Sequence, residues 1–265
     1  LLANPMSESE ISTLNPTEVL VEYKWDGIRA QLIKTHETIR LWSRGDQDIT
    51  EQFPDIVEVA TTLPSQIILD GEILTGTTEH PQTFNDLQTR LNRKRITRTL
   101  LVSHPAFFKA YDLLRLDGED LRGYPLIARK AALSKIVVSQ SLTVHPMCAE
   151  SIHAMRQEAR GKGAEGVMIN GKQSCYVGGR KAGHWWKWKL DPMTADCVLI
   201  YAQAGHGRRA SLHSDYTLAC WNQDNELVPV AKAYSGLTDA ELKDMDRWIR
   251  NHTLQKFGPV RQVEA

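Results

Sequence analysis

Residues 22–31 read EYKWDGIRAQ. A lysine, Lys24, stands between two aromatics, and a turn-prone Asp26-Gly27 follows directly. On either side, VLVEYKW and GIRAQLIK alternate apolar and polar residues, and TIRLWSR comes after a short polar turn. Period-two alternation broken by turn residues predicts antiparallel strands over residues 19–44. The same period places Glu22 and Lys24 on one strand face. An isolated strand lysine is ordinarily a solvated side chain. From average composition, K-x-D-G arises by chance on the order of once in sixteen chains of this length. The stretch therefore gains meaning only from its company.

Further along, the period changes. Phe53, Ile56, Val57, Ala60 and Leu63 recur at helical spacing, with Thr50 as the expected N-cap. QIILDGEIL reads as a strand broken at Asp70-Gly71, and Phe84, Leu87 and Leu91 mark an amphipathic helix. AFFKAYDLLRLDG returns to strand, residues 125–138 and 149–162 are expected helices, and GVMIN is a short buried strand after the glycine-rich GKGAEG. In HWWKWKL the alternation puts Trp186, Trp188 and Leu190 on one face and Lys187 and Lys189 on the other. After Pro192, ADCVLIYAQA, DYTLACW and ELVPVAKAY read as strands, and a helix is expected from about Thr238 to His252. The break at 190–194 is the expected domain boundary. Leu1 stands first, and FGPVRQVEA ends without a helix cap or polar tail, so a piece of a longer protein is expected.

The chain has 265 residues, 42% apolar and 24% charged, a globular composition sized for one large domain or a large and a small one. No apolar run reaches membrane-spanning length. Thirty-two basic residues balance thirty-two acidic ones, so affinity for nucleic acid has to come from local patches. Cys148, Cys175, Cys197 and Cys220 are widely spaced, which argues against a structural zinc site and favours a reducing cytoplasm.

The chemistry follows from side-chain type. A lysine is a nucleophile only when neutral, a form that burial or nearby cations favour; Lys187 and Lys189 are the candidate cations. Attack on a nucleotide α-phosphate would give a phosphoramidate, and such a transfer requires metal ions and cationic clamps around the phosphoryl group. Glu72 and Glu165, each beside a glycine, are candidate ligands for a hard cation, although Asp-Gly and Glu-Gly pairs more often mark plain turns. Tyr111 or Phe108 could stack on a purine, with core packing the commoner role. The run RLNRKRITR, with Arg90, Arg93, Lys94, Arg95 and Arg98, and the pair Arg208-Arg209 in GHGRRA are candidate phosphate contacts or simply solvated charge.

In order along the chain, EYKWDGIR, SRGDQDIT, LDGEIL, FFKAYDLLRLDG, GAEGVMIN and WWKWKLDP resemble the nucleotidyltransferase motifs of ATP-dependent DNA ligases, bacterial ones in particular. The stretch ADCVLIYAQAGHGRRASLHSDYTLACW resembles the start of the ligase oligonucleotide-binding (OB) domain. The resemblance implies an α+β fold: a mixed, mainly antiparallel nucleotidyltransferase domain of ATP-grasp-like type over residues 1–191, then an OB-fold β-barrel domain over 192–265, truncated at its C-terminus.

By the same resemblance, Lys24 would carry AMP, Glu22 would read the adenine edge, and Tyr111 would stack on the base. Arg29 and Arg44 would contact ribose, nucleotide phosphates or the 5′-phosphate of DNA. Glu72 would hold the ribose and assist metal binding, Glu165 would support the metal, and Lys187 and Lys189 would grip the α-phosphate. ATP and Mg²⁺ or Mn²⁺ are the implied cofactors. The implied partner is nicked double-stranded DNA, bound by a monomer in a bacterial cytoplasm beside helicases or nucleases. RNA ligases and capping guanylyltransferases share the K-x-D-G lysine and stand as alternatives, as does a nick-binding fragment without turnover.

Overall fold

The computed structural model describes residues 2–91, 93, 95–136, 142–144, 151–179, 181–207 and 210–264. The chain divides into two compact units, Leu1–Asp191 and Pro192–Ala265. The first unit contains strands β1 (Asn4–Pro5), β2 (Val19–Trp25), β3 (Ile28–Lys34), β4 (Ile39–Ser43), β5 (Ile67–Thr75), β6 (Ala106–Leu116), β7 (Glu119–Asp120), β8 (Leu142–Val144), β9 (Ala164–Gly171) and β10 (Trp185–Lys189). Its helices are α1 (Glu8–Ile11), α2 (Pro54–Ala60), α3 (Phe84–Leu91), α4 (Arg98–Ser103), α5 (Leu126–Leu133) and α6 (Ile152–Ala159).

Two sheets carry this unit. One has the order β1-β10-β9-β2, antiparallel except for the β1–β10 pair. The other runs β4-β3-β5-β6-β7, antiparallel throughout, with β8 added in parallel beside β6. Each sheet is apolar on one face. Val19, Val21, Val167, Ile169 and Trp188 of the first pack on Ile152 and Met155 of α6. Ala30, Leu32, Leu69, Ile73, Phe108 and Ala110 of the second pack with Ile56 and Ala60 of α2 and Leu87 of α3. Period-two strands and 3.6-period helices bury these stripes together and leave the opposite sheet faces for polar side chains.

Four local expectations change. Asp70-Gly71 does not break a strand: β5 runs straight through, and a Cβ at Gly71 would lie 2.5 Å from the Phe108 ring. The glycine serves close packing, and Phe108, fully buried beneath it, is core and not a purine platform. Thr50 does not cap α2, which begins at Pro54; its hydroxyl accepts from Leu41 N at 2.9 Å and donates to Asp48. The helix expected over 125–138 ends at Leu133, and part of that range lies outside the described residues. The helix expected over 149–162 is α6 followed by a 3₁₀ turn, Arg160–Lys162.

The second unit holds a five-stranded antiparallel sheet, order β13-β12-β11-β15-β14, made of β11 (Val198–Ala204), β12 (His213–Trp221), β13 (Leu227–Ala233), β14 (Thr253–Phe257) and β15 (Val260–Val263). Helix α7 (Asp239–Asn251) starts with a capping box between Thr238 and Glu241 and buries Leu242 and Ile249 against Ala202, Tyr216 and Val263. The β14–β15 hairpin is absent from the sequence reading, which placed no strand beyond the helix. Among the described residues no helix is long and apolar enough to cross a membrane.

Candidate active site

The polar faces of the two sheets of the first unit line a cavity of about 550 Å³. Glu22 on β2, Met168 and Asn170 on β9, and Trp185, Lys187 and Lys189 on β10 project from one sheet, because they share a phase opposite to the apolar face. Arg29, Glu72 and Tyr111 come from β3, β5 and β6 of the other, and Arg44 from the end of β4. All nine residues expected to handle nucleotide or metal, Glu22, Lys24, Arg29, Arg44, Glu72, Tyr111, Glu165, Lys187 and Lys189, line this one cavity.

Two bulges aim the key groups. Between Tyr23↔Val167 and Trp25↔Ala164, one residue of β2, Lys24, faces two of β9, Glu165 and Gly166. The extra residue brings Glu165 to Lys24, and the two side chains form an ion pair. Gly166 makes this possible: its φ is +142°, and a Cβ there would collide with the Trp188 carbonyl. The second bulge lies between Asp70↔Asp112 and Gly71↔Ala110, where Tyr111 is the extra residue and turns to the cavity side.

Beneath Tyr111 the fully buried Asp70 collects donors. Arg29 reaches it through Nε at 3.1 Å and Nη2 at 2.5 Å, Tyr111 donates at 3.1 Å and Tyr176 at 2.7 Å. This fixes the guanidinium of Arg29 and the ring of Tyr111 before any ligand arrives. Burial pushes the Glu72 carboxyl up to about 8, although Lys24 and Arg29 pull it the other way. Burial also raises Glu165, but hydrogen bonds from Lys189 and Lys24 outweigh it and hold that carboxylate below its ordinary value. Lys189 donates to Glu165 Oε2 at 2.7 Å. The pocket thus sets a protonatable carboxyl beside an ionised one.

Glu22 is buried and engaged by partners the sequence reading missed. Lys130 of α5 pairs with its Oε1, and Asn170 donates to Oε2 at 2.9 Å. A signal existed for Lys130: in LIARKAAL it follows Leu126 by four and precedes Leu133 by three, the spacing of the buried face. Asp70 was hidden because Asp-Gly reads as a turn.

Arg90 is not a phosphate contact. It is fully buried in α3, bonds both oxygens of Asp55 at 2.7 and 2.8 Å, and donates to the carbonyls of Gln52 and His104. Arg93 and Arg95 are exposed and are not among the residues that line the cavity. Lys94, Arg208 and Arg209 lie outside the described residues. For a divalent cation the donor set fits: Mg²⁺ takes one or two carboxylates and completes its shell with water and phosphate oxygens. Glu72 and Glu165, which line the same cavity, are the candidate pair.

The family model "ATP dependent DNA ligase domain" matches residues 1–189. A "Probable DNA ligase" of Koribacter versatilis (strain Ellin345) is 32% identical over 292 residues, covering 100% of this chain and 50% of that protein. "DNA ligase 2" of Methanosarcina mazei is 32% identical over 241 residues, 86% of this chain and 42% of that protein. The chain thus spans about half the length, or less, of these curated relatives. A structure described as "mycobacterial DNA ligase D complexed with ATP and MES" superposes with a TM-score of 0.61 at 23% identity, covering 99% of this chain and 84% of that one. One described as "DNA binding with a minimal scaffold: Structure-function analysis of Lig E DNA ligases" gives 0.59 at 17% identity, covering 92% and 86%. These likenesses establish the fold, a two-sheet nucleotidyltransferase unit followed by an OB half-barrel.

Proposed function

The chain belongs to the ATP-dependent DNA ligase domain family, and on that basis we propose that it is the catalytic core of an enzyme that seals nicks in duplex DNA. The carrying observation is the placement of Lys24 in the cavity, paired to Glu165, with Glu72, Lys187 and Lys189 lining the same space. In the first step, the neutral amine of Lys24 attacks the α-phosphorus of ATP, forming a P–N bond and breaking the bond to pyrophosphate. AMP then passes from Lys24 to the 5′-phosphate at a nick, which regenerates the amine. The adjacent 3′-hydroxyl attacks that activated phosphate, closing the backbone and releasing AMP.

Each residue acts through its position. Lys187 and Lys189 supply positive charge where the phosphoryl group carries negative charge. Glu72 and Glu165 would hold Mg²⁺ or Mn²⁺, which screens phosphate oxygens when bound. Tyr111, fixed by Asp70, offers its ring to the base; Glu22 faces the base edge; Arg29 and Arg44 point to ribose and phosphate. Nicked double-stranded DNA is the substrate, read through its backbone and not its sequence. The compartment is the bacterial cytoplasm around the nucleoid.

The test is incubation with α-labelled ATP, GTP or NAD and magnesium, followed by denaturing gels. A covalent adduct from ATP that disappears in Lys24→Ala is the expected result. An ATP adduct that survives Lys24→Ala overturns the assignment; no adduct from any nucleotide, with retained binding to nicked DNA, favours a nick-binding module.

A further inference from the structure

Two polar atoms on residues that line the cavity are buried without a hydrogen-bond partner among the described residues: Asn170 Oδ1 and Trp185 Nε1. Asn170 is fully buried, Trp185 is 4% exposed, and both line the cavity. A buried orphan polar atom is unfavourable, and native proteins keep few of them. Here two of opposite character occur together. Asn170 and Trp185 are directly opposed in the β9–β10 pairing, so their side chains leave the same sheet face as close neighbours.

The orientation of the Asn170 amide follows from its surroundings. Lys130 has only donors to offer Glu22, and the Glu22 carboxylate accepts from Asn170 Nδ2 at 2.9 Å as well. The amide nitrogen is therefore turned to Glu22, which leaves Oδ1 as a fixed acceptor. The Trp185 indole can only donate. The pair thus sets one acceptor beside one donor, with the Glu22 carboxylate as a second acceptor nearby.

We infer that Asn170 and Trp185 are specificity-determining residues for the nucleobase: Asn170 Oδ1 accepts from an exocyclic amine, and Trp185 Nε1 donates to the ring nitrogen next to it. The inference rests on the reading of this cavity as a nucleotide site and deepens it. Adenine carries an amine flanked by acceptor nitrogens, and so supplies both complements. Guanine has a carbonyl where adenine has the amine, and that oxygen would face two acceptors, Asn170 Oδ1 and Glu22, with nothing donated to either. Sites built around buried hydrogen-bonding groups reject analogues that leave those groups unpaired far more strongly than apolar pockets do. Lys130 is a positioning residue here, acting through Glu22 on the amide.

The test uses calorimetric binding of AMP, of purine riboside 5′-monophosphate, which lacks the amine, and of the 1-deaza and 7-deaza analogues of AMP. The wild-type chain is expected to bind AMP about tenfold or more tightly than the des-amino analogue, and to lose a similar factor with one of the two deaza analogues. Asn170→Leu and Asn170→Ala are expected to bring the AMP-to-des-amino ratio below about threefold. Trp185→Phe is expected to abolish only the deaza discrimination. Equal wild-type affinity for AMP and the des-amino analogue overturns the inference without any variant, as does an unchanged ratio in a folded Asn170 variant.

Adduct formation on Lys24 with labelled ATP is scored separately. An adduct with no base discrimination overturns the inference and leaves the ligase reading standing. Discrimination with no adduct supports the base site and counts against the ligase reading; no nucleotide binding at all overturns both.

Discussion

Glu165 links the two lysines of the cavity: its Oε2 accepts from Lys189 Nζ at 2.7 Å while its Oε1 pairs with Lys24. The carboxylate therefore neutralises positive charge near the proposed nucleophile and is the ionised member of the candidate metal pair. Glu165→Gln removes that charge at little cost in volume. Because the pair is a quarter exposed, at 23% and 28%, stability is expected to change by no more than about 1 kcal/mol. Lysyl-AMP formation is expected to slow by about 100-fold or more, and half-saturating magnesium is expected to rise. Time courses with labelled ATP across a magnesium titration measure both, and an unchanged magnesium dependence would remove Glu165 from the metal site.

Lys130 and Glu22 form an ion pair with 1% and 4% of their side chains exposed. Removing one partner strands the other charge, which costs about 3–5 kcal/mol; replacing both avoids most of that penalty. Lys130→Met alone should therefore lower the denaturant midpoint sharply, and Glu22→Gln combined with Lys130→Met should recover much of the loss. A double-mutant cycle reads the coupling. Additive effects of the two substitutions would show that the pair contributes no net interaction.

The strands around Lys24 were legible because their apolar residues alternate cleanly, and the lysine strand WWKWK was legible for the same reason. The cavity-lining set came from the ordered motifs, since no periodicity tells Glu72 from any other strand carboxylate. What sequence could not show depends on pairing across strands. The bulges at Lys24 and Tyr111 exist only as mismatches between two registers, and a single strand carries no trace of its partner's register. Asp70 reads as a turn residue until its neighbours β3 and β6 bring Arg29 and Tyr111 to it. Arg90 fails in the opposite direction: a basic run suggests solvent, yet the Asp55 carboxylate and two backbone carbonyls satisfy its guanidinium inside the core.

Glu72 gives the unligated protein a definite pH response. Its carboxyl titrates at about 8 in the folded chain against an ordinary value of 4.5, with burial the main cause. A raised folded value favours the protonated form, so the contribution is fully present below about 4.5 and is lost as pH rises through about 8. Over the span from pH 6 to 9 the expected loss is about 2–3 kcal/mol. Lys109, whose burial against the Trp25 ring pushes its ammonium down to about 8 against an ordinary 10.5, works in the opposite sense from about pH 8 upward. The informative quantity is therefore the difference between wild type and Glu72→Gln. In nucleotide-free and metal-free buffer, the variant should gain thermal stability relative to wild type as pH goes from 6 to 9; a constant difference would place the Glu72 titration elsewhere.

Gly166 sets the bulge on which the pairing of Lys24 with Glu165 depends. At φ +142° an L side chain is strained, and a Cβ at this position would press into the Trp188 carbonyl on the adjoining strand β10. Gly166→Ala must either shift β10 or flatten the bulge, and either change moves Glu165 relative to Lys24 and Lys189. The expected cost is about 2–3 kcal/mol in unfolding free energy, with a loss of lysyl-AMP formation larger than the unfolded fraction can explain. Gly161→Ala is the matched control, because a Cβ there meets no atom within 4 Å and should leave both quantities near wild type. Denaturant titration beside single-turnover labelling separates the two effects. Full labelling activity in a destabilised Gly166→Ala would show that the glycine serves folding alone and that the bulge does not position Lys24 and Glu165 for adenylation.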